Sequence, residues 1–169
     1  MEQIYIDAIE KACGEITDRP VLAGMIGPYS LAARLFDMTE LMMECYDSPD
    51  EVAVLLSKVT EFLIEYVKAF KAAGADGVII AEPAAGLLSP TLAEEFSTPY
   101  VKKIIDAVSD GNFVFCYHNC GNAVIDMADQ LAELGADIYL NDITNYDQWG
   151  DDNFDRSVLN NWYENEEYF

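Results

Sequence analysis

Basic residues are scarce in this chain: 9 Lys and Arg stand against 31 Asp and Glu, for a net charge of −22 at pH 7. Such a charge repels phosphate backbones and anionic lipid headgroups, which excludes nucleic acid and the membrane surface as expected partners. Histidine is scarcer still. His118 is the single one, so any imidazole chemistry passes through it, and zinc motifs built on two histidines are excluded. No uninterrupted apolar run is long enough to span a bilayer, and the opening Met1-Glu2-Gln3-Ile4-Tyr5-Ile6-Asp7 lacks the basic stretch and apolar core of an export signal. A soluble, cytoplasmic protein is the expectation. The cysteines are few, namely Cys13, Cys45, Cys116 and Cys120, and a chain of 169 residues with 51% hydrophobic content has apolar mass enough to fold without disulfide staples. Free or metal-bound thiols are therefore expected.

What the chain does have is alternation of short apolar runs with long amphipathic ones. Val21 to Ile26 reads as a buried strand closed by Gly27-Pro28. Ser30 can cap a helix whose apolar residues Leu31, Leu35, Met38, Leu41 and Met42 recur at helical spacing to about Tyr46. Ser48-Pro49-Asp50-Glu51 starts another helix, with a core stripe running from Val52 to Phe70. Gly74 ends it, and Gly77 to Ala81 is a second strand with Glu82 at its end. A third unit repeats the scheme, with a helix from Ser89-Pro90 to about Val108 and a strand over 113–118. A fourth follows, with a helix from about Asn122 to Leu134 and a strand at Ile138-Tyr139-Leu140. Gly-Ala-Asp precedes a strand twice, at 74–76 and 135–137, marking a repeated helix-to-strand join. Strands alternating with helices predict an α/β fold with a parallel sheet and right-handed crossovers, open or part of a (β/α)8 barrel, with the chemistry at the carboxyl ends of the strands. Gly27-Pro28-Tyr29, Glu82-Pro83 and His118-Asn119-Cys120 all fall on that edge.

The third strand ends in Cys116-Tyr117-His118-Asn119-Cys120-Gly121. Side chains two apart on a strand share a face, so Cys116, His118 and Cys120 are expected on one side. Imidazole and thiolate are the donors zinc prefers, yet a tetrahedral site needs three or four ligands and the motif offers two or three. The alternative is equally simple: Cys116 as a core thiol, Cys120 as a loop thiol and His118 as a hydrogen-bonded strand end.

Taken together, Ala23-Gly24-Met25-Ile26-Gly27-Pro28-Tyr29-Ser30, Gly74-Ala75-Asp76-Gly77-Val78-Ile79-Ile80-Ala81-Glu82-Pro83 and His118-Asn119-Cys120-Gly121-Asn122 resemble the uroporphyrinogen decarboxylase superfamily. Within it they are most similar to the branch of methylcobalamin:coenzyme M methyltransferases. The resemblance runs from about Val21 to Leu140 and implies part of a (β/α)8 TIM barrel, since a full barrel takes about 250 residues. It implies zinc ligation by His118 and Cys120, with Cys116 as an additional donor, because no cysteine follows Cys120 to serve as the family's third ligand. It further implies a catalytic carboxylate at Glu82 facing the same mouth, and substrate contacts from Pro28, Tyr29, Gly121 and Asn122. The implied reaction moves a methyl group from a methylated corrinoid, free methylcobalamin or a corrinoid protein, to a small thiol.

Two other readings stand beside this one. A metal-free decarboxylase acting on a porphyrinogen needs cations for the substrate's carboxylates, and Arg19 and Arg34 both fall away from the strand ends. A non-catalytic half-barrel would instead pair its bare sheet edges with a second copy or a partner chain, making a homo-oligomer. By domain, residues 1–140 are expected to form the partial barrel and 141–169 an acidic, aromatic-containing tail. A truncated product would account for both ends.

Overall fold

In the computed structural model residues 2–140 are described. The tail at 141–169 lies outside the described residues. The short apolar runs form strands β1 (Leu22–Ile26), β2 (Gly77–Ala81), β3 (Val114–His118) and β4 (Ile138–Leu140). They lie side by side in chain order, every neighbouring pair parallel, as consecutive crossovers through helices require. The helices are α1 (Glu2–Glu15), α2 (Pro28–Phe36), α3 (Met38–Asp47), α4 (Pro49–Ala72), α5 (Pro90–Phe96), α6 (Thr98–Val108) and α7 (Ala128–Ala132). Proline stands in the first turn of α2, α4, α5 and α6, where its missing N–H costs no helical bond.

Several helices differ from the periodicity-based expectation. The amino-terminal α1 precedes the first unit that the periodicity marks. The stretch from Leu31 to Tyr46, expected as one helix, is broken at Asp37, whose φ of 92° takes the chain out of α2. Its Oδ1 then accepts from the backbone N–H of Thr39 at 2.9 Å and of Glu40 at 3.3 Å, so the strained residue is also the cap of α3. The helix expected from Pro90 to Val108 breaks at Ser97, because Pro99 lacks the N–H that an unbroken helix would need there. The last helix opens as a 3-10 turn over Asn122–Met127 before α7.

Alternation along the strands gives the sheet two unlike faces. Ala23, Val78 and Phe115 lie in one row, and Met25, Ile80, Tyr117 and Tyr139 in the next. This face packs under the helices, with α4 contributing Val52, Leu56, Val59, Leu63, Val67 and Phe70 to the same buried core. The opposite face carries Gly24, Ile79, Cys116 and Ile138 in one row and Ile26, Ala81, His118 and Leu140 in the next. Among the described residues this second face is only partly covered: Gly24 and Leu140 are exposed, and Ile26, Ile79 and Ile138 half-buried.

The repeated Gly-Ala-Asp is a structural clip. Gly74 and Gly135 take positive φ values of 98° and 77°, the left-handed geometry that ends a helix and favours glycine. The aspartate two residues on then grips the start of the preceding strand twice. Asp76 accepts the N–H of Val21 on its carboxylate at 2.7 Å and donates its own N–H to the Val21 carbonyl at 2.9 Å. Asp137 does the same to Phe115, at 2.8 Å for both bonds. Each clip fixes the register of one strand against the next, where a slip of one residue would turn the apolar face outward. Replacing Asp137 by Ala should cost about 1–3 kcal/mol in urea unfolding, because the partly buried Phe115 N–H loses its acceptor, and the exposed Asp76 should cost less on the same substitution. Equal stability of the two variants and the parent would refute the clip.

Candidate functional site

The carboxyl ends of the strands are laced together one residue past the sheet. Gly27 N–H donates to the Ala81 carbonyl at 2.7 Å, Glu82 N–H to the His118 carbonyl at 2.8 Å, and Asn119 N–H to the Leu140 carbonyl at 3.1 Å. Gly27 is the N-cap residue of α2 but has no side chain to cap with, and the first turn of a helix leaves N–H groups without partners. Glu82, arriving from the next strand, supplies what Gly27 lacks. Its Oε1 accepts from Tyr29 N at 2.9 Å, and its Oε2 accepts from Ser30 N at 3.1 Å and Ser30 Oγ at 2.8 Å. The Ser30 hydroxyl in turn accepts from Ala84 N at 3.0 Å, closing the circuit back to the β2 loop. A Cβ on Gly27 would run into the Glu82 carboxylate, so the glycine is what admits it.

Glu82 is fully buried. Burial raises its pKa from the usual 4.5 to about 7, against the three donated hydrogen bonds from Ser30 and Tyr29, which pull it down. The positive end of α2 acts in the same direction as those bonds.

The loops after β2 and β3 cross in backbone contact. A Cβ on Gly121 would collide with Gly86, and one on Gly86 with Gly121 and the Asn119 amide. Between His118 and Cys120, the buried Asn119 turns the chain: its Oδ1 accepts from Gly121 N at 3.0 Å and its Nδ2 donates to Tyr117 Oη at 3.2 Å.

The residues singled out from the sequence separate into two groups. Pro28, Tyr29 and Glu82 are buried on the helix side of the sheet. Tyr29 lies with its hydroxyl 4.0 Å from Cys45 Sγ, and burial drives its pKa upward. Glu82 follows Ala81, which pairs with His118, so strand alternation puts the Glu82 side chain on the face opposite His118. The expectation that Glu82 faces the mouth is thus corrected: its oxygens are engaged by the start of α2. His118 is half-buried, Cys120 exposed and Gly121 half-buried. Cys116 pairs with Ile79 and Ile138 within the sheet and is buried, which pushes its thiol pKa up and favours the neutral form. Asn122 begins the 3-10 turn, and its side chain lies outside the described residues. The roles of Asn119 and Gly86 emerge only from the structure. Ser30, expected to cap the helix, instead lies in the first turn of α2 behind the Gly27 N-cap, and its hydroxyl donates to Glu82 and accepts from Ala84 N.

As a test for zinc, the donor types at His118 and Cys120 are right but the number is not. No group of three His, Cys, Asp or Glu side chains among the described residues is placed to hold a metal. These residues supply two donors at most.

Parallel strands in sequential order, helices between them and polar residues gathered at the strands' carboxyl ends define the barrel class of α/β proteins, here as an open portion. The chain belongs to the uroporphyrinogen decarboxylase (URO-D) family, whose model matches residues 2–159. It is 34% identical over 111 residues to a methylcobamide:CoM methyltransferase of Methanosarcina mazei, covering 64% of this chain and 32% of that protein. It is also 31% identical over 143 residues to a uroporphyrinogen decarboxylase of Flavobacterium johnsoniae, covering 78% of this chain and 41% of that one. The solved structure of a methyltransferase from Methanosarcina mazei superposes with a TM-score of 0.73 at 30% identity, over 79% of this chain and 40% of the other. The chain thus spans about a third of the length of the methyltransferase relative.

The buried carboxylate makes stability depend on pH. A folded-state pKa raised to about 7 means that Glu82 contributes stability below its unfolded value and loses it as pH rises through 7. Between pH 5 and pH 8 the stability difference between the parent and Glu82→Gln should therefore fall by ~3 kcal/mol, read from urea midpoints across that range. A difference independent of pH would show that Glu82 is charged throughout.

Proposed function

We propose that this chain carries the His-x-Cys strand end of a corrinoid-dependent methyltransferase of the URO-D family, one that passes a methyl group from a methylated corrinoid to a small thiol. The observation that carries this reading is the position of His118 and Cys120, two soft-metal donors at the carboxyl end of β3 beside the open face of the sheet. Methylcobamide:CoM methyltransferases among the relatives, at 34% and 36% identity, support it. His118 and Cys120 would furnish two zinc donors, and at least one more must come from outside residues 2–140.

Within this reading the buried groups position rather than react. Glu82 holds Gly27, Pro28 and Tyr29 against the end of β2, and its N–H fixes the His118 carbonyl. Asn119 and the Gly86–Gly121 contact set the turn that carries Cys120. Gly121 and Asn122 would then border the substrate through the backbone at the start of the 3-10 turn. The donors are a methylated corrinoid, free or on a corrinoid protein, and the acceptor is a thiol.

A decarboxylase reading is favoured by two uroporphyrinogen decarboxylases that match 78% of this chain, against 64% and 66% for two of the methyltransferases, while two other decarboxylases match 63%. Recognition of a polycarboxylate calls for unengaged cations at the mouth. Arg19 is instead held by Asp18 at 2.6 Å, ahead of β1, and Arg34 sits in the last turn of α2.

Zinc titration of the metal-stripped chain, followed by a chromogenic chelator, separates the two readings. The parent should take up zinc, and His118→Ala or Cys120→Ser should weaken uptake by at least about 100-fold, the upper end of what loss of even an outer partner costs, with the far-ultraviolet circular dichroism unchanged. Zinc uptake unaltered in both variants would remove His118 and Cys120 from the site, and absence of uptake by the folded parent would favour the decarboxylase reading.

A further inference from the structure

The helix layer carries an apolar surface used neither by the core nor by the strand ends. Leu35 and Phe36 at the end of α2 are 68% and 50% exposed, and Val54 on α4 is 55% exposed. Beside Phe36 opens a hollow of about 230 Å³, lined by Phe36, Leu41, Glu44, Glu51, Val52 and Leu55. Leu41 and Val52 are buried core residues, so its floor is apolar and fixed. Its remaining lining includes two carboxylates, Glu44 and Glu51, neither of which has an ion-pair partner among the described residues.

That pairing of an apolar floor with two carboxylates narrows the occupant. A second copy would bring another net charge of −22 and the same two glutamates to the contact. The segment 141–169 carries eight acidic residues against Arg156 alone, and is repelled in the same way. A purely aliphatic ligand would desolvate Glu44 and Glu51 without compensating either. What satisfies both features is an apolar anchor with cations beside it.

We propose that this hollow docks a segment of a partner protein that inserts one apolar side chain between Glu44 and Glu51 and flanks it with lysine or arginine. The volume suits a single leucine- or phenylalanine-sized group, and anchors of that kind seated in fixed pockets carry most of the energy of an interface. Phe36, half exposed, and Leu55 supply the apolar border, and the carboxylates set which partner is accepted. The hollow lies at the opposite end of α2 from the turn held by Glu82. Docking there is therefore separate from the strand-end site.

The test uses the full chain and a 15-residue amphipathic peptide of leucine and lysine, labelled for fluorescence anisotropy at 150 mM salt. Two control peptides carry serine for leucine or glutamate for lysine. The leucine/lysine peptide should bind saturably and both controls should fail. Glu44→Lys/Glu51→Lys should weaken binding at least tenfold, whereas Glu10→Lys/Glu133→Lys, the same charge change on exposed residues elsewhere, should not. Leu55→Ser, which leaves the charge alone, should weaken it comparably and serves if the double variant does not fold. Equal binding of the serine/lysine peptide, or binding indifferent to the Glu44/Glu51 and Leu55 variants, would overturn the proposal in favour of bulk charge attraction. A concentration-dependent dimer abolished by Phe36→Ser would overturn it in favour of a second copy.

Discussion

A single buried carboxylate holds the functional edge of this sheet together. Glu82 caps a helix that its own strand does not lead into: it leaves β2, crosses to the start of α2, and takes up two backbone N–H groups and a hydroxyl there. Remove it and the glycine-proline turn after β1 loses the carboxylate that anchors it to β2. The cost of keeping it is desolvation, which the donors around it offset only in part, so that its pKa stays raised. Because its backbone N–H also fixes the His118 carbonyl, the same residue ties three consecutive strands.

Much of this architecture was readable from residue order. The strands at Leu22–Ile26, Gly77–Ala81, Val114–His118 and Ile138–Leu140 follow from short apolar runs, and the two Gly-Ala-Asp joins announced the helix ends and strand starts that the structure shows. The helix breaks were harder. At Asp37 and Ser97 the apolar periodicity runs straight through, and what interrupts it is local: a side chain capping its own backbone in one case, and a missing proline N–H in the other. α1 is hard to read from residue order because Ile4 and Tyr5 are exposed while Ile6 and Ile9 pack on the core, leaving a weak stripe.

The site was less readable than the fold, and the reason is geometric. A carboxylate at a strand end suggests an open mouth, but alternation had already assigned Glu82 to the face of Ile80, which is buried beneath helices. Tyr29 is misleading in the same way, since its position after Gly-Pro at a strand end says nothing of the Cys45 thiol beside which its hydroxyl lies. His118 and Cys120 remain on the accessible side of that division. Proximity along the chain to the strand ends identifies the edge; which face each side chain takes decides whether it can meet a ligand.

The contact between Gly86 and Gly121 ties the histories of two loops to one another. Their backbones touch where no side chain fits, so neither loop can thicken unless the other retreats. A lineage that alters one of these glycines must move the opposing loop in the same period or lose the turn that carries Cys120. Variation here is therefore expected to be inherited in pairs, although the two positions stand 35 residues apart in the chain.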